Sequence, residues 1–295
     1  MTKNIPPIKC QGIKTKLIDW IRTHIPEFTG TWYEPFMGSG VVGFNILPEK
    51  AVFGDTNPHL IKFYNDIKNG TLTPESIKTF LQQEAIKLNE GKDDYYKEVR
   101  GRFNKHPNSY DFLFLNRACF NGMIRFNNKG EFNVPFCKKP NRFAQAYITK
   151  IINQVQSIQN IILKRQYSFI NTSYENIIDL AGNNDFIYCD PPYIDRHSSY
   201  YNEWTEENEK SLYHMLDKTK AKFLLSTWYK NKYRENIYIN NLWNKFNIDT
   251  IKHFYFVGGL EQNRNVMQEA LICNYKSNDT NLQLNTHTDK QLILF

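Results

Sequence analysis

The first seventy residues alternate between short apolar runs and longer amphipathic stretches. The apolar runs at 31–33 and 51–53 predict strands, and the stretches at 14–24, 41–47 and 58–67 predict helices. This order of strand, helix and strand is typical of a parallel sheet with helices on its faces. Later apolar runs predict further strands at 167–170, 185–189, 222–226, 250–256 and 266–273.

Between these two groups of strands the pattern becomes mostly helical. Residues 74–119 predict helices, and a long helical stretch at 143–163 leads back to the strands. Two short aromatic-rich arms flank Asn127-Asn128-Lys129-Gly130, which predicts a β-hairpin over about 123–136. We therefore predict four regions along the chain: a first part of an α/β domain (1–70), an insert (71–145), the second part of the α/β domain (146–275) and a polar tail (276–295).

Composition narrows the class of protein only moderately. The chain has 295 residues, 41% of them hydrophobic, with a net charge of +7 and a pI of about 8.9. A basic excess favours a polyanionic partner. We find no apolar run near 18 residues and no signal peptide, which predicts a cytoplasmic protein. The five cysteines and seven histidines have no metal-ligand or redox spacing, so we expect no metal site and no disulfide.

The most informative stretch is Asp190-Pro191-Pro192-Tyr193, which follows the predicted strand at 185–189. Two prolines remove two backbone donors and stiffen the loop at the carboxyl end of a strand, where ligands of α/β sheets bind. A carboxylate and a proline carbonyl can accept both N–H bonds of an exocyclic amino group, and a tyrosine ring can stack on the base. The stretch therefore predicts methylation of a base, although a turn with a buried tyrosine is the simpler alternative.

A second candidate site follows the first predicted strand. Glycines in the run 34–40 allow a tight turn beside a ligand, and Asp55 ends the second strand, where carboxylates bind ribose hydroxyls. The chain has neither GxGxxG nor a phosphate-binding lysine motif, so a nucleoside cofactor such as S-adenosylmethionine fits better than a dinucleotide. The alternatives are an ordinary turn and a helix cap near Asn57.

These motifs and their order resemble the Dam-type, alpha-class DNA adenine-N6 methyltransferases, and within them the EcoRV-type modification methylases. The glycine motif comes first, the insert lies in the middle and the catalytic motif comes last. The resemblance extends to about residue 275 and is carried by four segments, 8–14, 34–40, 116–140 and 190–193. It implies a Rossmann-like S-adenosylmethionine-dependent methyltransferase sheet with a mostly helical target-recognition insert that carries a β-hairpin.

The resemblance also implies roles for individual residues. Asp190, Pro191, Pro192 and Tyr193 would hold an adenine flipped out of the duplex. Cys10 stands where the family usually has tryptophan, and Ser173-Tyr174 stands where it usually has Asp-Phe. The residues implied in cofactor binding are Cys10, Lys14, Glu34, Phe36, Gly38, Gly40, Asp55, Tyr174 and Asp190.

The same resemblance assigns a DNA-binding surface to the insert. Phe120 would enter the base stack and Arg125 would read a base edge, while the lysines and Arg142 would meet phosphates. Core packing of Phe120 and a solvated surface for the lysines are the alternatives. The residues implied in DNA binding are Arg117, Phe120, Asn121, Met123, Arg125, Asn127, Lys129, Lys138 and Lys139. The loop 258–264 and residues His197, Tyr200 and Tyr201 are further candidates, with ordinary surface loops as the alternative.

By resemblance, we expect methyl transfer from S-adenosylmethionine to the first adenine of GATATC in double-stranded DNA. The enzyme would act as a monomer in the bacterial cytoplasm and protect DNA from a type II restriction endonuclease. The alternatives are an RNA base methyltransferase, an orphan GATC-like DNA adenine methyltransferase and a DNA-binding regulator without catalysis.

Overall fold

The computed structural model describes residues 2–194, 204–256 and 264–276. The loop residues 197, 200, 201 and 258–263 and the tail from 277 therefore lie outside the described residues. The strands are β1 Trp32–Glu34, β2 Lys50–Asp55, β3 Gln166–Asn171, β4 Phe186–Cys189, β5 Lys222–Asn231, β6 Asn247–Phe256 and β7 Arg264–Cys273. The helices are α1 Ile18–His24, α2 Gly43–Ile46, α3 Pro58–Lys68, α4 Pro74–Lys105, α5 Ser109–Ala118, α6 Gln145–Leu163, α7 Tyr174–Ile178, α8 Glu206–Lys218 and α9 Ile237–Asn241.

All seven strands join one sheet in the order β3-β2-β1-β4-β5-β7-β6. The first five are parallel, and β7 runs antiparallel to both β5 and β6. From β1 the chain moves outward to β2 and β3, and then returns to place β4 on the other side of β1. A ligand crevice is expected where the strand order reverses in this way, which here is the carboxyl end of β1 and β4.

Apolar side chains cover both faces of the sheet. On one face, α7, α8 and α9 pack through residues such as Ile177, Leu212 and Ile239. On the other face, one buried cluster runs without a break from Trp32 and Phe53 of the sheet into α3, α4, α5 and α6. Burial on both faces explains why the central strands read as continuous apolar runs.

The helical insert is therefore packed into the core of the sheet domain. Its first helix, α4, begins with a capping box between Thr73 and Ser76 and is kinked at Lys92, where φ is 48° and ψ is −119°. Phe103 and Phe112 of the insert belong to the same buried cluster as the sheet. The insert is thus held by the same apolar surface that stabilises the sheet.

The predicted β-hairpin takes a different form. The turn over 127–130 is present, but the arms join only through isolated bridges, Phe126 to Phe132 and Cys119 to Phe136. Asn104 of α4 bonds both the N–H and the carbonyl of Phe132, and the Tyr96 hydroxyl donates to the Val134 carbonyl at 2.8 Å. Helical side chains thus satisfy backbone groups that a ladder would otherwise pair.

The remaining elements agree with the predicted pattern to within a few residues, except that α7, α8 and α9 were not predicted. These three helices are 5, 13 and 5 residues long. Two of them are too short to display a clear helical period. Across the described residues, the structure contains no helix long and apolar enough to cross a membrane.

Candidate active site

Glu34 anchors the loop that follows β1. Its side chain is 2% exposed, and Oε2 accepts hydrogen bonds from Trp32 Nε1 at 2.9 Å and from the backbone N–H of Gly43 at 3.0 Å. Burial raises the pKa of this carboxyl to about 8, although both hydrogen bonds act in the opposite direction. Glu34 therefore fixes the end of β1 against the start of α2.

The glycine loop itself requires residues without a side chain. Gly40 has a φ of +71°, and a Cβ atom there would lie 2.6 Å from the ring of Phe44. Gly38 has a φ of +47°, and its N–H donates to Asp55 Oδ2 at 3.0 Å. The backbone is thus free to approach a ligand closely, while Phe44 supports it from behind.

Asp55 joins this loop to the end of β2. Its Oδ1 accepts from the N–H of Asn57 at 2.9 Å, and its Oδ2 accepts from Gly38. Burial raises the pKa of Asp55 to about 6, and the two backbone donors oppose that shift. Asn57 also caps α3, so the predicted cap is present beside Asp55. An ionised carboxylate has about four acceptor positions, so Asp55 keeps capacity for further donors.

Three aromatic rings form one wall beside the glycine loop. Phe36 stacks on Tyr174 with centroids 5.1 Å apart, and Trp204 meets Phe36 edge-on at 5.5 Å. Trp204 Nε1 donates to Glu209 Oε2 at 2.7 Å, which fixes the indole. The sequence analysis did not identify Trp204, because a lone tryptophan in a polar stretch gives no motif.

The catalytic motif meets a buried lysine from the amino-terminal segment. Lys14 is 2% exposed, and its Nζ lies 2.8 Å from Asp190 Oδ1 and 3.0 Å from the Tyr193 hydroxyl. It also donates to the carbonyl of Gly12 at 3.2 Å. Burial raises the pKa of Asp190, the Lys14 ammonium opposes this shift, and the carboxylate of Glu269 adds to it.

A single cavity of about 290 Å³ connects these groups. Tyr188 and Trp204 line it as well, although neither was predicted. Gly40, Pro191 and Tyr193 are not among the residues that line it. The predicted residues on its wall are Cys10, Lys14, Glu34, Phe36, Gly38, Asp55, Tyr174, Asp190 and Pro192. The cavity thus combines an aromatic wall, a bare backbone turn and carboxylates at two strand ends, which are groups that suit a nucleoside ligand.

The comparisons with known proteins agree with this geometry. Residues 11–257 match the model of the D12 class N6 adenine-specific DNA methyltransferase family. The chain belongs to this family. It is an adenine-specific DNA methyltransferase, and membership implies DNA as the substrate and S-adenosylmethionine as the methyl donor.

Individual relatives support the same family. The type II methyltransferase M.MjaIII of Methanocaldococcus jannaschii is 29% identical over 92% of this chain and 99% of its own length. The type II methyltransferase M.FokI of Planomicrobium okeanokoites is 26% identical over 91% of this chain, which spans only 42% of that protein. A DNA adenine methylase of Vibrio cholerae is 34% identical over 65% of this chain and 66% of its own length.

Residues 119–142, here called the recognition segment, carry most of the predicted DNA-binding side chains. Phe120 is 51% exposed, and Asn121 has a φ of +54° at the tip of a short 3₁₀ turn. Lys129, Lys138 and Lys139 are exposed. Met123 is only half-buried, but it packs against the apolar cluster beneath the segment.

Two polar residues of the recognition segment are already engaged within it. Arg125 donates from Nε to Asn133 Oδ1 at 2.7 Å and from Nη2 to the Asn133 carbonyl at 3.2 Å. Asn127 Oδ1 accepts from the N–H groups of Lys129 and Glu131, at 2.9 and 3.0 Å. Asn133 therefore orients the guanidinium, and Asn127 stabilises the turn.

Arg117 requires a correction. Its side chain is buried, and Nη1 donates to the Pro7 carbonyl at 3.0 Å and to Gln154 at 3.4 Å. Burial lowers the pKa of Arg117 to about 10. The guanidinium ties α5 to the amino-terminal segment and to α6, so direct contact with DNA is incompatible with its position.

Glu269 is a charged residue near the motif 190–193 that was not predicted from the sequence. It lies on β7, is 0% exposed, and its Oε2 accepts from the Tyr193 hydroxyl at 2.6 Å. A carboxylate inside the apolar run 266–273 was the available signal, since charged residues are rarely buried unless paired. In the described residues, no group of three His, Cys, Asp or Glu side chains is arranged to hold a metal ion.

Proposed function

We propose that this enzyme methylates N6 of an adenine that is extruded from duplex DNA, with the first adenine of GATATC as its target. The observation that carries the proposal is the position of Asp190. This carboxylate lies just after β4 and lines the same cavity as Asp55 and the glycine loop. An amino group held by Asp190 would therefore be close to a ligand held at the ends of β1 and β2.

The residues around the cavity fit S-adenosylmethionine. Phe36 and Tyr174 would pack against its adenine, Asp55 would accept from its ribose hydroxyls, and the backbone at Gly38 and Gly40 would lie beneath it. Glu34, Cys10 and Lys14 complete the surroundings of this ligand. When bound, the donor supplies an electrophilic methyl group on a sulfonium sulfur.

The remaining task of the site is to activate a poor nucleophile. The lone pair of the adenine amino group is delocalised into the ring. Asp190 and the Pro191 carbonyl would each accept one N–H, which favours a pyramidal nitrogen and stabilises the positive charge that develops on it. Since Lys14 occupies Oδ1, we assign the Asp190 Oδ2 atom to the substrate.

We infer that the base is extruded, because an amino group within the duplex would be out of reach of a cavity of this kind. Tyr193 would stack on the extruded adenine, and Pro192 would border it. Phe120, exposed near the start of the recognition segment, would fill the space that the base leaves. Unstacking costs a few kcal/mol, and an inserted apolar ring offsets part of that cost.

The recognition segment would supply specificity. The guanidinium of Arg125 is held by Asn133, and arginine pairs bidentately with guanine in the major groove. Asn121 and Met123 would lie against the bases beside it. Lys129, Lys138 and Lys139 would meet phosphates, which fix the register rather than the sequence.

We further propose that the enzyme acts as a monomer in the cytoplasm and protects its site from a restriction endonuclease. Relatives named as type II methyltransferases support this role. The alternative is an orphan methylase with a GATC-like site, which the similarity to a protein named DNA adenine methylase favours. No observation of this structure favours an RNA substrate.

The test is methyl transfer from labelled S-adenosylmethionine to duplexes with GATATC, GATC or a scrambled site, mapped base by base. A structured RNA is included as a fourth substrate. We expect label on the first adenine of GATATC alone. Label confined to GATC would replace the proposed specificity by the orphan alternative, and label on RNA alone would contradict the proposal.

A further inference from the structure

The buried carboxylate of Glu269 occupies a position where the sheet should place an apolar side chain. Strand residues two apart share a face, and Leu271 and Cys273, which follow Glu269 at that spacing, both belong to the apolar core. Burying a carboxylate costs free energy unless it is paired and hydrogen-bonded. Glu269 is 0% exposed, so its partners must account for its presence.

A hydrogen-bond partner of Glu269 belongs to the motif 190–193. The Tyr193 hydroxyl donates to Glu269 Oε2 at 2.6 Å and accepts from Lys14 Nζ at 3.0 Å. Lys14 in turn binds Asp190 Oδ1 at 2.8 Å. A continuous chain of donors and acceptors therefore links β7 to the carboxylate at the end of β4. The direction of each bond is fixed, because an ammonium only donates and an ionised carboxylate only accepts.

A β-bulge lies beside Glu269. In the antiparallel pair, Trp228 of β5 is opposite Glu269, and Lys230 is opposite Gln268, so Tyr229 is left without a partner position. Bulges change the direction of nearby side chains and occur next to active sites. The irregular register is thus located at the residue that bonds to Tyr193.

The charges of the cluster are also informative. Lys14 is a buried ammonium that pairs with the Asp190 carboxylate, and its Nζ lies 5.0 Å from the centroid of the Tyr193 ring. Without Glu269, the Tyr193 hydroxyl would lose the acceptor at 2.6 Å that directs its proton away from Lys14. The ring and the ammonium would then be free to adopt other arrangements.

We propose that Glu269 is a positioning residue for methyl transfer: it holds the Tyr193 ring and the Lys14 ammonium in the geometry that receives the extruded base. It acts through these two side chains and touches neither the base nor the methyl donor. This inference rests on the proposed function, because it assigns the stacking surface to Tyr193.

The test is a double-mutant cycle with Glu269→Ala, Tyr193→Phe and the combined variant, together with Glu269→Gln. We expect Glu269→Ala to lower kcat at least tenfold, while the dissociation constant of S-adenosylmethionine changes less than twofold. Glu269→Gln should recover most of kcat, because an amide oxygen also accepts from the Tyr193 hydroxyl. In the Tyr193→Phe background, Glu269→Ala should lower kcat less than threefold further.

Glu84 provides a matched control. It is also buried, and its Oε2 accepts from the Tyr95 hydroxyl at 2.6 Å, but it lies on α4 in the insert. Glu84→Ala should reduce thermal stability and leave kcat within twofold of the unmodified enzyme. An equal loss of kcat in the two alanine variants would show that Glu269 acts only through general stability.

Urea unfolding of the unmodified protein, Glu269→Ala, Tyr193→Phe and the combined variant separates this inference from the proposed function. Contact between the two side chains predicts that their effects on the unfolding equilibrium are non-additive, whether or not any DNA is methylated. Coupled unfolding with no methylation of any duplex by the unmodified protein would overturn the proposed function alone. An active enzyme whose Glu269 and Tyr193 variants are additive in both kcat and unfolding would overturn this inference.

Discussion

Ionisable side chains at the carboxyl edge of the sheet are buried or half-buried and hydrogen-bonded, whereas in the recognition segment most charged side chains are exposed. Glu34 accepts from Trp32 of its own strand and from Gly43 of α2. Asp55 accepts from the N–H of Gly38, and Asp190 pairs with Lys14 of the amino-terminal segment. Lys129 and Lys138, by contrast, extend from a loop held by isolated bridges and by side chains of α4. The proposed catalytic residues thus have a rigid support, and the segment proposed to read the DNA sequence has one that tolerates change.

The sharpest way to break this comparison is to change Asp190. Asp190→Asn keeps an oxygen for Lys14 but removes the negative charge, so we expect kcat to fall about 10²- to 10³-fold. Binding of S-adenosylmethionine should persist, because Phe36, Tyr174 and Asp55, which are proposed to hold its adenine and ribose, are unchanged. Single-turnover methylation and calorimetry measure the two effects, with exposed Asp179→Asn as the control. Substantial methylation by Asp190→Asn would remove this residue from the mechanism.

Arg125 tests the other region. Arg125→Lys keeps the positive charge but loses the guanidinium that can pair bidentately with guanine. We therefore expect discrimination against the wrong base at one base pair to fall by about 1–3 kcal/mol. Competition between GATATC and single-base variants measures it. Asn133→Ala should have a smaller effect in the same direction, since it removes only the support of the guanidinium. A uniform loss of affinity on all sequences would mean that Arg125 contacts the backbone.

The buried carboxyl of Glu34 allows the carboxyl edge of the sheet to be tested through the pH dependence of stability. The folded state holds the Glu34 proton up to about pH 8, whereas the unfolded chain releases it near its ordinary pKa of 4.5. The folded state thus binds more protons in this window, and stability falls as pH rises through it. Glu34→Gln removes that loss, so its unfolding temperature relative to the unmodified protein should rise by several degrees between pH 5 and pH 8.5.

Thermal unfolding in the absence of ligand measures this difference. Exposed Glu49→Gln is the control, because a group in water should give no such trend. A constant difference in unfolding temperature across the pH range would show that Glu34 ionises at its ordinary pKa.

The smallest effect is expected for the exposed lysines of the recognition segment. Changing Lys138 and Lys139 together to glutamine should weaken DNA binding equally for all sequences. The slope of log affinity against log salt should become shallower by about 2, since each phosphate contact contributes about 0.9. Lys164→Gln is the control, because Lys164 is also exposed but lies outside the recognition segment, just before the edge strand β3. An unchanged slope would mean that Lys138 and Lys139 do not contact the DNA phosphates.

The sequence predicted the sheet and the positions of the loops after β1 and β4 well, because their signals are local. A buried strand followed by glycines or by two prolines is visible in a few consecutive residues. The recognition segment was predicted less well. Its turn was identified, but the expected ladder is replaced by bonds from Asn104 and Tyr96, which lie about thirty residues away in the chain. Arg117 was misassigned for the same reason, since its charge gave no sign of burial.

By itself, then, the sequence determined the fold class, the order of the motifs and the family, because periodicity and motif spacing are properties of neighbouring residues. Only the tertiary structure decided which charges are partners. Lys14 meets Asp190 and Tyr193 across about 180 residues, and Tyr193 meets Glu269 across 76. Such pairs form where packing excludes water and a charge must find a partner, and no local pattern specifies that partner.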